Sequence, residues 1–149
     1  MAVLDIIKGA DNPVLRTKTT NVPKVTKEIL KLIKDMEMTM KAADGVGLAA
    51  PQVGRTERIC IGIIHGKVTP LINPKILKKS REKAIDQEGC LSLPGVWLMI
   101  PRSTEITLSY IDAKGKKQER VLKNFDARVV QHEVDHLDGV LIVDYTSSK

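Results

Sequence analysis

The segment from Phe125 to Leu137 constrains the fold more than any other part of the chain. Ala127, Val130, Val134 and Leu137 recur at spacings of three and four, which places four apolar side chains on one face of an α-helix. Asn124 stands where a cap would start that helix, and Asp138-Gly139 stands where it would stop. A helix with a single apolar stripe must press that stripe against another layer, so the rest of the chain has to supply a covering surface.

Strand-like runs at 57–64, 71–78, 104–112 and about 117–123 are the candidates for that surface, the last two joined across Asp112-Ala113-Lys114-Gly115. VLIVDY (140–145) reads as a short closing strand. A second amphipathic helix is predicted from Val25 to about Ala43, with Ile29, Ile33, Met36, Met40 and Ala43 on one face. Thr26 is its expected cap and Asp44-Gly45 its expected end. DNPVLR (11–16) reads as a turn or short helical entry, and GVGLAAPQVG (45–54) as an uncharged, glycine-rich loop. No repeat, low-complexity run or linker interrupts the pattern. The expectation is one α+β domain over residues 1–149: antiparallel β-sheets packed around the C-terminal helix, with a second long helix near the N-terminus.

With 149 residues, 42% of them hydrophobic, the chain can bury a real core. The residues after Met1 (AVLDIIKGADNP) lack the layout of a signal peptide, and no window is long and apolar enough for a membrane span. A cytoplasmic protein with no membrane partner is therefore expected. Two cysteines make no disulfide framework, and Cys60, inside RICIGII, reads as a small buried hydrophobe. The net charge is +6, but the lysines are scattered and aromatics are only 3%, so no stacking platform for single strands exists. The charge reads as a solvated basic surface with no direct nucleic-acid contact. Weak attraction to an RNA-rich neighbour is the functional alternative.

The strongest chemical signal lies on the last predicted helix, in His132-Glu133-Val134-Asp135-His136. Residues four apart stand one turn apart on one face, so both imidazoles can reach a single metal ion, and Glu133 lies close enough to touch a water there. The bland alternative is a pair of polar histidines on a surface helix. The apolar residues Val130, Val134 and Leu137 put the histidines at the edge of the core face instead. A catalytic site of this kind needs a third protein ligand and an open position. His65, in the apparent turn IIHGK, is one candidate. Cys90, in Glu88-Gly89-Cys90-Leu91-Ser92-Leu93-Pro94-Gly95, is the better one, since a thiolate is a strong ligand and flanking glycines allow close approach.

GVGLAAPQVG (45–54), EGCLSLPG (88–95) and QHEVDHLDG (131–139) together resemble the three signature motifs of the peptide deformylases, in the family's order and spacing. The resemblance covers about residues 5–145. It implies Cys90, His132 and His136 as metal ligands and Glu133 as the catalytic carboxylate. Gln52 and the backbone N–H of Leu91 are implied as donors to a developing oxyanion. Val46, Gly47 and Leu48 would lie beside the bound peptide, and Glu88 and Arg102 would form a supporting ion pair beneath the site. The implied metal is ferrous iron (Fe2+), with Zn2+, Ni2+ or Co2+ as substitutes. The implied reaction removes the formyl group from formyl-methionyl nascent peptides, releasing formate. Glu133 takes a proton from a metal-activated water and returns it to the leaving amine.

Two departures from the family pattern stand out. The sequence stops at DYTSSK, where many bacterial members continue into a basic helix that docks on the ribosome, so a ribosome contact through that element is not expected. Trp97, the single tryptophan, falls just after the cysteine motif. It reads either as packing or as an apolar wall for the second or third substrate residue. A monomer is expected. The rival readings are a zinc endopeptidase drawing its third ligand from Asp138 or Asp144, and an inactive structural-metal or ribosome-binding module.

Overall fold

The computed structural model describes residues 2–145. Helix α1 (Lys27–Ala42) starts where the Thr26 side chain accepts a hydrogen bond from Ile29 N, as its sequence position implies. Ile29, Leu32, Ile33, Met36 and Met40 are buried along one face, while Lys27, Lys31, Lys34 and Lys41 lie on the opposite one. The chain then enters a short strand, β1 (Gly47–Ala49), and a 3-10 turn (Ala50–Val53), where the sequence had suggested only a loop. Pairing explains the difference: Gly47, Leu48 and Ala49 lie opposite Gly62, Ile61 and Cys60 of β2 (Ile59–Ile64). A strand of three residues is too short to show a period.

β2 and β3 (Lys67–Lys79) form a hairpin across His65-Gly66, both at positive φ, the conformation a tight two-residue hairpin turn requires. β6 (Glu105–Ile111) and β7 (Lys117–Lys123) complete an antiparallel five-stranded sheet in the order β1-β2-β3-β6-β7. One face of this sheet buries Leu48, Ile59, Ile61 and Ile72 against α1. The other buries Cys60, Leu71, Ile106, Leu108 and Leu122 against α2 (Asn124–Leu137). The four residues read from the sequence as the apolar face of α2, Ala127, Val130, Val134 and Leu137, are all in that core.

A second sheet, the hairpin β4 (Lys83–Cys90) and β5 (Leu93–Ser103), covers the other side of α2. No alternation marks it in advance, because polar and apolar residues are mixed on both of its faces. Glu88 and Arg102 face inward and are buried, whereas Ile85, Trp97 and Met99 face solvent. A reading that looks for apolar residues inside finds no alternation here. The hairpin turns on Leu91-Ser92, with Cys90 opposite Leu93, and the ladder shifts register between Gly89 and Cys90.

Two end signals need correction. Asn124 does not cap α2 with its side chain. Its backbone is left-handed (φ 54), a conformation asparagine tolerates, and its N–H donates to Thr104 O at 2.8 Å. VLIVDY forms no strand. Ile142–Tyr145 is a 3-10 turn, with Asp144 accepting from Leu141 N (3.0 Å) and pairing with Arg16 (2.7 Å), while Leu141 and Ile142 join a small core with Leu15, Leu93 and Ile100. The terminal TSSK, the end of the DYTSSK segment, lies outside the described residues. Among those described, no helix is long and apolar enough to cross a membrane.

Gly139 ends α2 as expected, at φ 75, and a Cβ there would lie 2.6 Å from the Arg16 carbonyl oxygen. Gly115 has a similar φ of 82 with nothing near. Gly139→Ala should therefore lose more stability than Gly115→Ala, about 2–3 kcal/mol against about 1 kcal/mol, since strain is common to both and the clash is not. Equilibrium urea unfolding of the two variants checks this, and equal losses would refute it.

Candidate metal centre and its supporting network

α2 lies between the two sheets, and its polar residues at the hairpin side build the site. His132 and His136 stand one turn apart, with ring centroids 5.0 Å from each other. The register shift after Gly89 brings Cys90 to the same place from β4, with Sγ 3.2 Å from His136 Nε2. Ligand atoms of Cys90, His132 and His136 lie within 4.8 Å of one another, and they are the one such group of three or more found among the described residues. His65 is elsewhere, in the β2–β3 turn, against Asp126 (3.3 Å) and Arg120 (3.1 Å). Asp138 pairs with Arg58 and Asp144 with Arg16, so neither joins the cluster. Cys60 is wholly buried, and burial pushes its thiol pKa up, as suits an inert core residue.

Glu133 is 5% exposed, and its Oε1 has no hydrogen-bond partner among the described residues. Burial lifts its carboxyl to about 7, against the lowering field of His132. Gly47 of β1 packs on this carboxylate so closely that a Cβ would stand 2.5 Å from Oε2. Glycine is required there for space, not for its φ.

Beneath the histidines, the buried Glu88 carboxylate is saturated with donors. Arg102 donates through Nε and Nη2, both at 2.9 Å, Arg128 through Nη1 at 2.6 Å, and His132 Nδ1 lies at 2.9 Å. Burial would raise the Glu88 pKa, but the bonds from His132 and Arg102 hold it at about 2. Arg102 Nη1 also donates to Asp135 Oδ2 (2.5 Å) and Tyr145 Oη (2.9 Å). Arg128 donates further to the carbonyls of Ile100 and Ala84, tying α2 to both hairpin strands. Arg128, Asp135 and Tyr145 were not singled out in the sequence. Arg128 sits four residues before His132 on the same helical face, which is the one signal that pointed to it.

A cavity of about 430 Å³ opens over the cluster, and Val46, Gly47, Gln52, Leu91 and Trp97 are among its lining residues. Leu48 is not. Its side chain is fully buried against α1, so of the expected peptide-side trio only Val46 and Gly47 reach the cleft. Trp97 is 64% exposed and lies opposite Gly89, where its ring occupies the space a Cβ would take.

The donor set fits a divalent cation. A thiol and two imidazoles converge, and the local field favours positive charge. Although burial lowers the His132 pKa, hydrogen bonds to Cys90 and Glu88 carry it to about 10. A site that draws a proton this strongly also draws a cation, which would displace the proton. His136 is pushed the other way by burial and by His132, as suits a neutral imidazole ligand.

The fold and this cluster define a metal-dependent hydrolase. A sequence model of the family described as polypeptide deformylase matches residues 3–149. A peptide deformylase of Pseudothermotoga lettingae is 48% identical over 142 residues, covering 95% of this chain and 82% of the relative. One from Dictyoglomus thermophilum is 45% identical over 93% of this chain and 90% of its own length. The crystal structure of peptide deformylase from Thermotoga maritima superposes with a TM-score of 0.93 at 41% identity, covering 96% of this chain and 97% of that one. The chain belongs to the peptide deformylase family, whose members remove N-formyl groups from nascent polypeptides.

Because Glu88 and Arg102 are both buried, removing one leaves the other's charge without its main partner. Arg102→Met should cost about 3–5 kcal/mol in urea unfolding. Combining it with Glu88→Leu should cost clearly less than the sum of the two single losses. Additive losses would show that the pair does not act as a unit.

Proposed function

We propose that this chain deformylates formyl-methionyl nascent polypeptides in the cytoplasm, acting as a monomer, with Cys90, His132 and His136 holding a divalent ion, ferrous iron by resemblance. The observation that carries this reading is the convergence of one sulfur and two imidazoles beside a buried carboxylate with a partnerless oxygen, at the floor of a cavity. When bound, the ion supplies Lewis acidity, making water a competent nucleophile near neutral pH and polarising the formyl oxygen.

The chain's own groups do the rest. Glu133, with a carboxyl near pKa 7, accepts the water's proton at Oε1 and returns it to the leaving amine nitrogen. Gln52 Nε2 and the Leu91 N–H donate to the oxygen on which charge develops. Glu88, held by Arg102 and Arg128, fixes the ring of His132 through Nδ1. β1 is an edge of its sheet, so an extended peptide can lie along Val46-Gly47. The endopeptidase reading is disfavoured by the ion pairs that engage Asp138 and Asp144.

Protein purified without oxygen should release formate from a formyl-Met peptide and leave an unmodified peptide intact. A chelator should abolish the release and ferrous iron should restore it. Cleavage of an internal bond in the unmodified peptide, or full turnover in chelator, would overturn the reading. Metal analysis of the same preparation identifies the ion.

Trp97 supplies an apolar wall for the second or third substrate residue. Trp97→Ala should raise KM for formyl-Met tripeptides while leaving formyl-Met amide nearly unaffected. Equal effects on substrates of every length would refute the wall.

A further inference from the structure

Ser92, one of the two turn residues of the β4–β5 hairpin, is a fully buried polar residue beside the cluster. Its Oγ lies 3.1 Å from Gln52 Nε2. Which amide atom of Gln52 faces Ser92 follows from the other end. The Ala49 backbone N–H can only donate, and it meets Gln52 Oε1 at 3.0 Å, so the atom facing Ser92 must be the nitrogen. That nitrogen also lies 3.9 Å from Cys90 Sγ. It carries two N–H groups, one donated to Ser92 Oγ and the other directed at Cys90 Sγ on the cleft side, a long contact that an oxyanion beside that sulfur can replace.

The main chain holds the two residues in register. Ile7 N donates to Gln52 O at 2.7 Å, and Gly9 N donates to Ser92 O at 3.0 Å. One extended N-terminal stretch thus ties the turn that carries Gln52 to the turn that carries Leu91 and Ser92. The serine hydroxyl and the Ala49 N–H together then hold the rotation of the amide about its own bond.

We propose that Ser92 is a positioning residue for deformylation: by accepting from Gln52 Nε2 it aims the remaining N–H of that amide at the developing oxyanion. The proposal rests on the reading of Gln52 as an oxyanion donor. A donor acts fully only when it is oriented before charge develops. An amide without its acceptor must be oriented during the reaction itself.

The test is a double-mutant cycle, with kcat and KM measured on a formyl-Met tripeptide for Ser92→Ala, Ser92→Cys, Gln52→Ala and Gln52→Ala/Ser92→Ala. Cysteine keeps the volume but is a poor acceptor, so it carries the test if the alanine variant fails to fold. Both Ser92 variants should lower kcat about 10-fold or more, with KM within about 2-fold, while Gln52→Ala lowers kcat about 100-fold or more. In the Gln52→Ala background, Ser92→Ala should cost less than about 2-fold, since its only route to the reaction is gone. If Gln52→Ala slows turnover and Ser92→Ala slows it again by its full factor, the Gln52 reading stands and the Ser92 proposal falls. If Gln52→Ala turns over like the parent, both fall.

Discussion

A single buried carboxylate joins the layers of this protein. Glu88 comes from β4, Arg102 from β5, and Arg128 and His132 from α2, and their polar atoms meet within 2.6–2.9 Å. A carboxylate in this position would ordinarily be protonated or expelled, because burial penalises its charge. Four charge-assisted contacts reverse that preference and hold it ionised. The arrangement is also what the hairpin needs in order to dock. Its inner face offers Glu88 and Arg102 beside the apolar Leu93 and Ile100, so the hairpin docks through paired charge as well as apolar contact. Pairing of this kind is directional, and it places Cys90, two residues from Glu88, at a set position over the helix.

The opposite side of the helix is held by different physics. Ala127, Val130, Val134 and Leu137 pack on the five-stranded sheet through close apolar contact, which fixes the helix's depth and rotation without polar groups. Gly47 then closes the space around Glu133, since any larger residue would meet its carboxylate. The site is thus assembled from a helix that is apolar toward one sheet and charged toward the other. Each of its rigid faces limits a different degree of freedom of the groups between them.

That division explains what could be read in advance. The sheet-facing side of α2 and the buried side of α1 obey a helical period, and both were legible, as were the Thr26 cap and the Gly139 stop. The two imidazoles were placed on one face by their spacing alone. The β4–β5 hairpin was not legible, because its buried residues mix Glu88 and Arg102 with Leu93 and Ile100, and its exposed ones include Ile85, Trp97 and Met99. Arg128, Asp135, Tyr145 and Ser92 escaped for a related reason. Their partners lie far away in sequence, and no local pattern marks a residue whose importance comes from a contact across layers. The closing segment misled through composition: VLIVDY has the content of a strand, but Asp144 bonds its own neighbour's N–H and Arg16, which favours a turn. Leu48 reads as part of a cleft-side trio, yet the alternation of β1 sends its side chain to the α1 core.

Two buried polar atoms, Glu133 Oε1 and His136 Nδ1, lack partners among the described residues, and an unsatisfied buried group costs about 1–3 kcal/mol. Both belong to α2 and both border the reactive cluster. One layer below, the same helix sends Arg128 and His132 to the Glu88 carboxylate of β4, which is saturated with donors. The contrast has a physical logic. A carboxylate that must accept and release a proton cannot be bound tightly in either state, because each hydrogen bond to one state shifts its pKa away from neutrality. Glu88 is saturated and held near pKa 2, which keeps it ionised; Glu133 is left bare and lifted to about 7, the setting that the proposed proton exchange requires. The two carboxylates differ in protonation because their surroundings differ, which is the basis for the separate roles proposed for them.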